Sequence, residues 1–116
     1  MNRSLVVVAG IAGAAGVALA AAGSHMAGAE RLATAGALAM AQAPALLALG
    51  LHGKEGGRLL TLCAWVIAAG LLAFSGALTY HDLSGSPALA AIAPIGGTAM
   101  IIGWLGIAFA ALVKRR

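Results

Sequence analysis

Apolar residues fill four long runs of this chain, and short polar segments separate the runs. No charged or amide side chain occurs between residues 5 and 22, and residues 59–79 hold only threonine, serine and cysteine as polar groups. Thr98 is the main polar interruption of residues 92–113. The runs are roughly 18 to 22 residues long, which is the length of helix that crosses a hydrocarbon core of about 30 Å.

The runs predict helices, because a transmembrane strand is only about 10 residues long and alternates polar with apolar positions. The predicted fold is all-α: a single domain over residues 1–116, an integral membrane protein whose four helices form an up-down antiparallel bundle. The second helix is rich in alanine and carries Gln42 and Pro44, so its neighbours have to shelter it. The predicted helices span residues 5–22, 32–51, 59–79 and 89–113.

Composition supports the membrane interpretation and argues against a soluble bundle. Hydrophobic residues make up 62% of the chain and charged residues 9%, whereas an ordinary soluble domain has about 25% charged residues. A soluble helix needs a polar face, and these runs lack one. Cys63, the single cysteine, lies within an apolar run and is best interpreted as a buried packing residue without a disulfide partner.

The distribution of basic residues predicts the orientation in the membrane. Four spans place both termini on one side, together with the central loop of residues 52–58. That side holds six cationic residues, whereas the opposite loops offer only Arg31, beside Glu30. Short loops rich in Lys and Arg stay in the cytoplasm. The six are Arg3, Lys54, Arg58, Lys114, Arg115 and Arg116.

The charge pattern therefore predicts a protein of the bacterial inner membrane with both termini in the cytoplasm. The first run also resembles a secretory signal, but the charge asymmetry is clearest when this helix is retained. The basic residues flank helix ends, where they can contact anionic lipid headgroups. No basic stripe with interleaved aromatic residues is present, so nucleic acid is not an expected partner.

Small residues form one seam along the first helix and another along the last. Lipid tails are as apolar as leucine, so helices in a membrane associate through close backbone approach at small residues. The spacing alternates between three and four residues, which keeps each seam on one face and favours a left-handed crossing. We expect these seams to pack within the bundle or against a partner. Their residues are Ala9, Gly13, Gly16, Ala20 and Gly23, then Gly96, Ala99, Gly103, Gly106 and Ala110.

Polar residues at two helix ends are candidate ligand contacts. His25 closes the first helix, and Tyr80, His81 and Asp82 close the third, on the same predicted face of the membrane. The two histidines and Asp82, with Met26, could gather a transition metal or haem. The alternative is that they cap helix ends or contact headgroups. Because their spacing matches no metal motif, we predict neither a metal nor another cofactor.

Gln42 and Ser75 are candidate polar contacts inside the membrane. A buried amide there needs a hydrogen-bond partner, which could be the carbonyl that Pro44 frees or the hydroxyl of Ser75. A binding spot for a quinone, a lipid or a small solute is the alternative. No ionisable side chain occurs at the centre of a span, which argues against an ion-coupled transporter. No nucleophile can be paired with a base or an acid, so we do not expect an enzyme.

Three short elements, in this order, resemble the transmembrane protein 256-like family, whose members carry the domain of unknown function 423. They are residues 23–26 (Gly-Ser-His-Met), residues 74–78 (Phe-Ser-Gly-Ala-Leu) and the segment that begins Pro94-Ile95-Gly96-Gly97 and ends at Trp104. The resemblance implies a small membrane protein of four helices and no known reaction. Residues 41–45 depart from it, because they keep Gln42 but lack the aromatic residue and the histidine that members often have there.

The functional expectation is a structural or accessory subunit that packs against a larger membrane complex or against copies of itself, within membrane lipid. One alternative is a small carrier or pore for a neutral or apolar solute, lined by Gln42, Ser75 and a helix break at residues 94–97. A second alternative is a cofactor-binding subunit that uses His25 and His81.

Overall fold

The computed structural model describes residues 1–113, apart from the side chain of Lys54. The cationic residues Lys114, Arg115 and Arg116, on which part of the orientation prediction rests, lie outside the described residues. The described chain folds into four α-helices: α1 (Arg3–His25), α2 (Glu30–His52), α3 (Gly57–Ser84) and α4 (Ile92–Val113). A short 3-10 helix, Gly53–Gly56, joins α2 to α3. All four helices are long and apolar enough to cross a membrane, which confirms the predicted all-α membrane fold.

Local hydrogen bonds explain where the helices differ from the predicted bounds. The side chain of Asn2 accepts a hydrogen bond from the amide of Leu5, so α1 begins two residues earlier than predicted. α3 continues five residues beyond Thr79 and ends where Gly85 adopts a left-handed backbone conformation with φ of 75°. Residues 88–91 form a turn, so α4 begins at Ile92 and not at residue 89.

The two helical prolines leave their helices continuous. Pro44 lies inside α2, which runs unbroken from Glu30 to His52. Pro94 occupies the first turn of α4, where a backbone amide would have no acceptor within the helix. The sequence left open whether Pro94 marks a break inside the membrane, and the structure places it at a helix start.

The helices form an open zigzag ribbon. Each helix packs on the next one in the chain, and α1 approaches α3 at only a few positions. No Cα atom of α1 lies within 8 Å of a Cα atom of α4 in the described part of the chain. The molecule measures 51 × 25 × 18 Å along its principal axes. The predicted up-down bundle is therefore not closed by contact between its first and last helices.

Each half of the ribbon is a helical hairpin, and glycines allow close contact between the two helices of each hairpin in the same manner. In the first hairpin, a Cβ atom at Gly36 would lie 2.5 Å from the amide nitrogen of Ala20 and 2.6 Å from the carbonyl oxygen of Gly16. In the second, a Cβ atom at Gly96 would lie 2.5 Å from the amide nitrogen of Phe74 and 2.6 Å from the carbonyl oxygen of Gly70. Only a residue without a side chain allows the backbones to approach this closely.

The structure places the predicted seams at these two contacts. The α1 seam faces α2, where the Cβ position of Gly23 would lie 2.5 Å from the amide nitrogen of Ala33. The α4 seam faces α3, where the Cβ position of Gly106 would lie 2.6 Å from the sulfur of Cys63. Cys63 is buried and fills the space that Gly106 leaves. Each seam thus lies within one hairpin of the chain.

We predict that G36A lowers the free energy of unfolding by about 1 to 3 kcal/mol, because the added methyl group has to push α1 away from α2. Reversible unfolding in mixed detergent micelles measures this change. The matched control is G76A, in a helix at a position with no atom within 4 Å of the added methyl group. The control should unfold like the original protein or be slightly more stable. Equal destabilisation by both substitutions would contradict the close-packing argument.

Candidate functional site

Ser75 forms a hydrogen bond between α2 and α3 within their membrane-spanning length. Its hydroxyl donates to the carbonyl oxygen of Ala35 at 3.0 Å, and the contact is buried. A serine in hydrocarbon needs such an acceptor, and a backbone carbonyl of a neighbouring helix supplies it. The serine hydroxyl is therefore used to join two helices, and its proton is directed at a carbonyl that cannot act as a base.

Gln42 has a partner that the sequence prediction did not name. Its side-chain oxygen accepts a hydrogen bond of 2.7 Å from the indole nitrogen of Trp104. The prediction offered the carbonyl freed by Pro44 or the hydroxyl of Ser75. The observed partner differs because the tryptophan side chain is long enough to reach from α4 to α2, although no Cα atoms of these helices lie within 8 Å. A tryptophan far from the membrane surface was the available signal, since a buried indole N–H needs an acceptor.

Asp82 joins the end of α3 to the start of α2. One carboxylate oxygen accepts the backbone N–H of Leu32 at 3.0 Å, and the other accepts a hydrogen bond from Arg31 at 3.0 Å. The side chain of Asp82 is 3% exposed, whereas that of Arg31 is 46% exposed. The first amides of a helix lack acceptors within the helix and carry partial positive charge, so a carboxylate stabilises this position. The structure thus places Asp82 in a capping position.

The other predicted ligand residues lie at the same end of the helices as Asp82 but are not drawn into a metal-binding cluster. His25 is exposed at the end of α1, Tyr80 is exposed on α3, and His81 is half-buried. Within residues 1–113, no group of three His, Cys, Asp or Glu side chains lies close enough to hold a metal ion. A role for His25 and His81 in holding a cofactor stays a prediction, and Asp82 is already engaged by two donors.

The opposite end of the ribbon is fastened by Asn2. Its backbone N–H donates to the carbonyl oxygen of Gly50 at 2.6 Å, while its side chain caps α1. A Cβ atom at Gly53 would lie 2.9 Å from the nitrogen of Met1, so the chain start lies directly against the end of α2. These contacts place the N-terminus and the α2–α3 connection at the same end of the molecule.

A groove of about 820 Å³ lies between α1 and α3, with Ala39 of α2 among its lining residues. Most of its wall is apolar. Its polar residues are all on α3: Ser75, Thr79, Tyr80 and Ser84. The hydroxyl oxygen of Thr79 is buried and has no hydrogen-bond partner among the described residues. The groove suits an apolar occupant.

The residues assigned to a solute path do not line a common cavity. Ser75 borders the groove between α1 and α3, whereas Gln42 is bonded to Trp104 and is not among its lining residues. Pro94 borders a separate shallow pocket with Ile95, Thr98, Ala99 and Ile102. The break in α4 that this path required is absent from Ile92–Val113.

With this geometry in place, the comparison with known proteins gives the family. Residues 12–97 match the family model described as "Protein of unknown function (DUF423)". The chain belongs to the DUF423 family. That part of the predicted resemblance is confirmed, and the narrower transmembrane protein 256-like name stays a prediction. The family description assigns no reaction.

Bacterial relatives support the membrane location of this DUF423 protein. It is 40% identical to the UPF0382 membrane protein YwdK of Bacillus subtilis over 52 residues, 45% of this chain and 42% of that protein. It is 37% identical to a UPF0382 membrane protein of Staphylococcus epidermidis over 67 residues, 58% of this chain and 55% of that protein. The chain thus spans about half the length of the curated relatives it matches. No solved structure matches it.

We predict that Gln42 and Trp104 are energetically coupled by between about 0.6 kcal/mol, the average measured for hydrogen bonds between transmembrane helices, and about 1.7 kcal/mol, the largest value measured. A double-mutant cycle of Q42L and W104F, with unfolding measured in mixed micelles, gives this coupling. A second cycle that combines Q42L with W65F is the control, because Trp65 lines the groove between α1 and α3. The bond would be refuted by a W104F coupling no larger than the W65F coupling.

Proposed function

We propose that this DUF423 protein is a structural or accessory subunit that packs against other membrane-embedded helices. One observation carries the proposal: three polar side chains of the helices, those of Ser75, Gln42 and Asp82, bond to other helices of the chain itself. Ser75 bonds to Ala35, Gln42 to Trp104, and Asp82 to Arg31 and Leu32. What the ribbon offers to its surroundings is therefore mainly apolar surface and helix backbone.

The outward surface supports a packing role. Large apolar side chains project from every helix, among them Ile11, Leu47, Leu72 and Ile95. In a bilayer this surface contacts lipid tails or the helices of another membrane protein. The connections between the helices are short, so the chain has little surface outside the membrane with which to recognise a soluble partner.

The proposal includes the absence of catalysis. The Ser75 hydroxyl donates to a carbonyl, and Asp82 accepts from a guanidinium and a backbone amide. Neither group is placed beside an acid or a base that would activate it. The protein in this proposal acts by contact, with membrane lipid and with a membrane protein or further copies of itself as partners.

We also propose that the protein lies in the bacterial inner membrane with both termini in the cytoplasm. The supporting observation is the charge asymmetry, because Arg3, Lys54 and Arg58 lie at the end where Asn2 contacts Gly50. Cationic residues near short loops are retained in the cytoplasm. Arg31, at the other end, is neutralised by Asp82.

The packing role predicts that the protein, extracted gently from its own membrane, elutes with a mass greater than that of one chain plus detergent. Size-exclusion chromatography with light scattering measures this mass, and mass spectrometry identifies whatever else elutes with it. The same protein unfolded in strong detergent supplies the single-chain reference. A monodisperse single chain without an accompanying protein would refute the role.

The orientation predicts asymmetric labelling of two single-cysteine variants. In a C63A background, an impermeant maleimide added to spheroplasts should label A27C, in the connection between α1 and α2, but not S4C at the start of α1. Both sites are exposed, so S4C should be labelled once the membrane is opened. Labelling of S4C in intact spheroplasts would reverse or refute the proposed orientation.

A further inference from the structure

The second hairpin of the ribbon repeats the first. Gly16 meets the amide of Met40 and the carbonyl of Gly36, just as Gly70 meets the amide of Met100 and the carbonyl of Gly96. Gly16 thus corresponds to Gly70, and Gly36 to Gly96, with offsets of 54 residues from α1 to α3 and 60 residues from α2 to α4.

A second contact keeps the same offsets. The position of Gly13 faces Ala43 in the first hairpin, and the corresponding Ile67 faces Gly103 in the second. The residue types differ between the two pairs. The glycine lies on the first helix of the first hairpin, α1, but on the second helix of the second hairpin, α4. This difference hides the repeat in the sequence, while the structure shows it through the shared register.

Between the hairpins, one face of α2 packs on one face of α3. The hydrogen bond from Ser75 to Ala35 sets the register of this contact. The same register pairs Ala39 with Leu71, and Leu46 with Ala64, and each pair lies in a common core cluster. The face of α2 is entirely buried and consists of Leu32, Ala35, Ala39, Gln42 and Leu46.

The corresponding face of α4 is open at its isoleucines. Its two small residues border α3, because the Cβ atom of Ala99 lies 3.0 Å from the Cβ position of Gly70 and the Cβ position of Gly106 lies 2.6 Å from the sulfur of Cys63. None of its residues is buried, and Ile95 is 67% exposed. This α4 face consists of Ile92, Ile95, Ala99, Ile102 and Gly106.

One side of α3 packs on α2. The corresponding face of α1 is uncovered. Ala64, Ala68, Leu71 and Ser75 of α3 correspond to Gly10, Ala14, Val17 and Ala21 of α1. All four residues of this α1 face are exposed, and nothing lies within 4 Å of the Cβ position of Gly10. A glycine inside a helix costs about 1 kcal/mol relative to alanine, which a close helix contact offsets.

We propose that the occupant of the α4 face is the α1 face of a second copy of this chain. The contact would continue the α2–α3 interface, with Ala14 of one copy against Ile102 of the other and Ala21 against Ile95. The large side chains of the α4 face then meet the small residues of the α1 face, which allows close approach. This inference rests on the proposed packing function and names its partner.

The contact is heterologous, because it joins two different faces. α1 and α3 cross the membrane in the same direction, so the operation that relates the two hairpins keeps their orientation in the bilayer. Repeating that operation between copies produces either a closed ring or a continuing row within the membrane. An isologous dimer, in which one face meets its own copy, would not continue the interface already present inside the chain.

Disulfide cross-linking in native membranes tests the contact. The variant combines C63A, A14C and I102C in the full chain, and mild oxidation should join copies into dimers and higher species. The matched control replaces I102C by I101C. Ile101 and Ile102 are 62% and 58% exposed and differ by one residue in depth, but Ile101 points to a different side of α4. Variants with A14C alone or I102C alone should remain uncross-linked beyond background.

Each outcome decides between interfaces. Cross-linking that requires both A14C and I102C and is much weaker with I101C supports the heterologous contact. Equal cross-linking of the control shows random collision, and cross-linking through a single cysteine shows an isologous contact; either overturns the inference. Absence of cross-links in a protein that still elutes as an assembly overturns the inference and leaves the packing function standing.

A second variant guards against loss of folding as the explanation. Ala14 is exposed in the single chain, so A14W should leave its unfolding transition unchanged while shifting the extracted protein toward the single-chain mass. The control I11W places the same bulk at an exposed position of α1 that borders the groove between α1 and α3, outside the α1 face. Retention of the assembly by A14W would overturn the contact.

Discussion

The structure depends on the close approach of helix backbones at two pairs of glycines, Gly16 with Gly36 and Gly70 with Gly96. In water, burial of apolar side chains would drive the helices together, but in a bilayer the surrounding lipid is equally apolar. Packing must then come from many short contacts between atoms, and these accumulate only where side chains are small enough for backbones to touch. Both hairpins satisfy this condition with the same geometry, although their sequences differ.

The polar bonds follow from the positions that the glycine contacts set. With α2 held on α1, and α4 held on α3, the hairpins still need a fixed register relative to each other. Ser75 and Asp82 supply it, because each reaches a backbone group of α2 at about 3.0 Å. Trp104 adds a link between helices whose backbones do not meet. Each such bond is individually modest, but a polar group in hydrocarbon has few alternative partners, so the bonds specify one arrangement.

The sequence predicts those features that depend on one helix at a time. The number of spans follows from the lengths of the apolar runs, and the seam residues follow from their spacing along a single face. The extension of α3 to Ser84 was missed because Asp82 stabilises α2 from another helix, which local pattern does not show. The partner of Gln42 was missed for the same reason. The sequence does not show the structural repeat, because corresponding positions carry different residues. Gly13 and Ala43 of the first hairpin correspond to Ile67 and Gly103 of the second.

An open ribbon poses a different energetic problem from a closed bundle. In a closed bundle the first and last helices cover each other, and every helix has two neighbours. Here α2 and α3 each pack extensively on two neighbours, whereas α1 packs mainly on α2 and α4 mainly on α3. In the repeat, α1 corresponds to α3 and α4 corresponds to α2. Several positions that are buried on α2 and α3 are exposed at the corresponding places of α4 and α1, so lipid must cover them in an isolated chain. Lipid tails cover a face that bears Gly10 and Ala14 less well than a helix does, because a flexible chain loses conformational freedom to fit against it. The exposed small residues of α1 are therefore a surface that a further helix would cover better than lipid does.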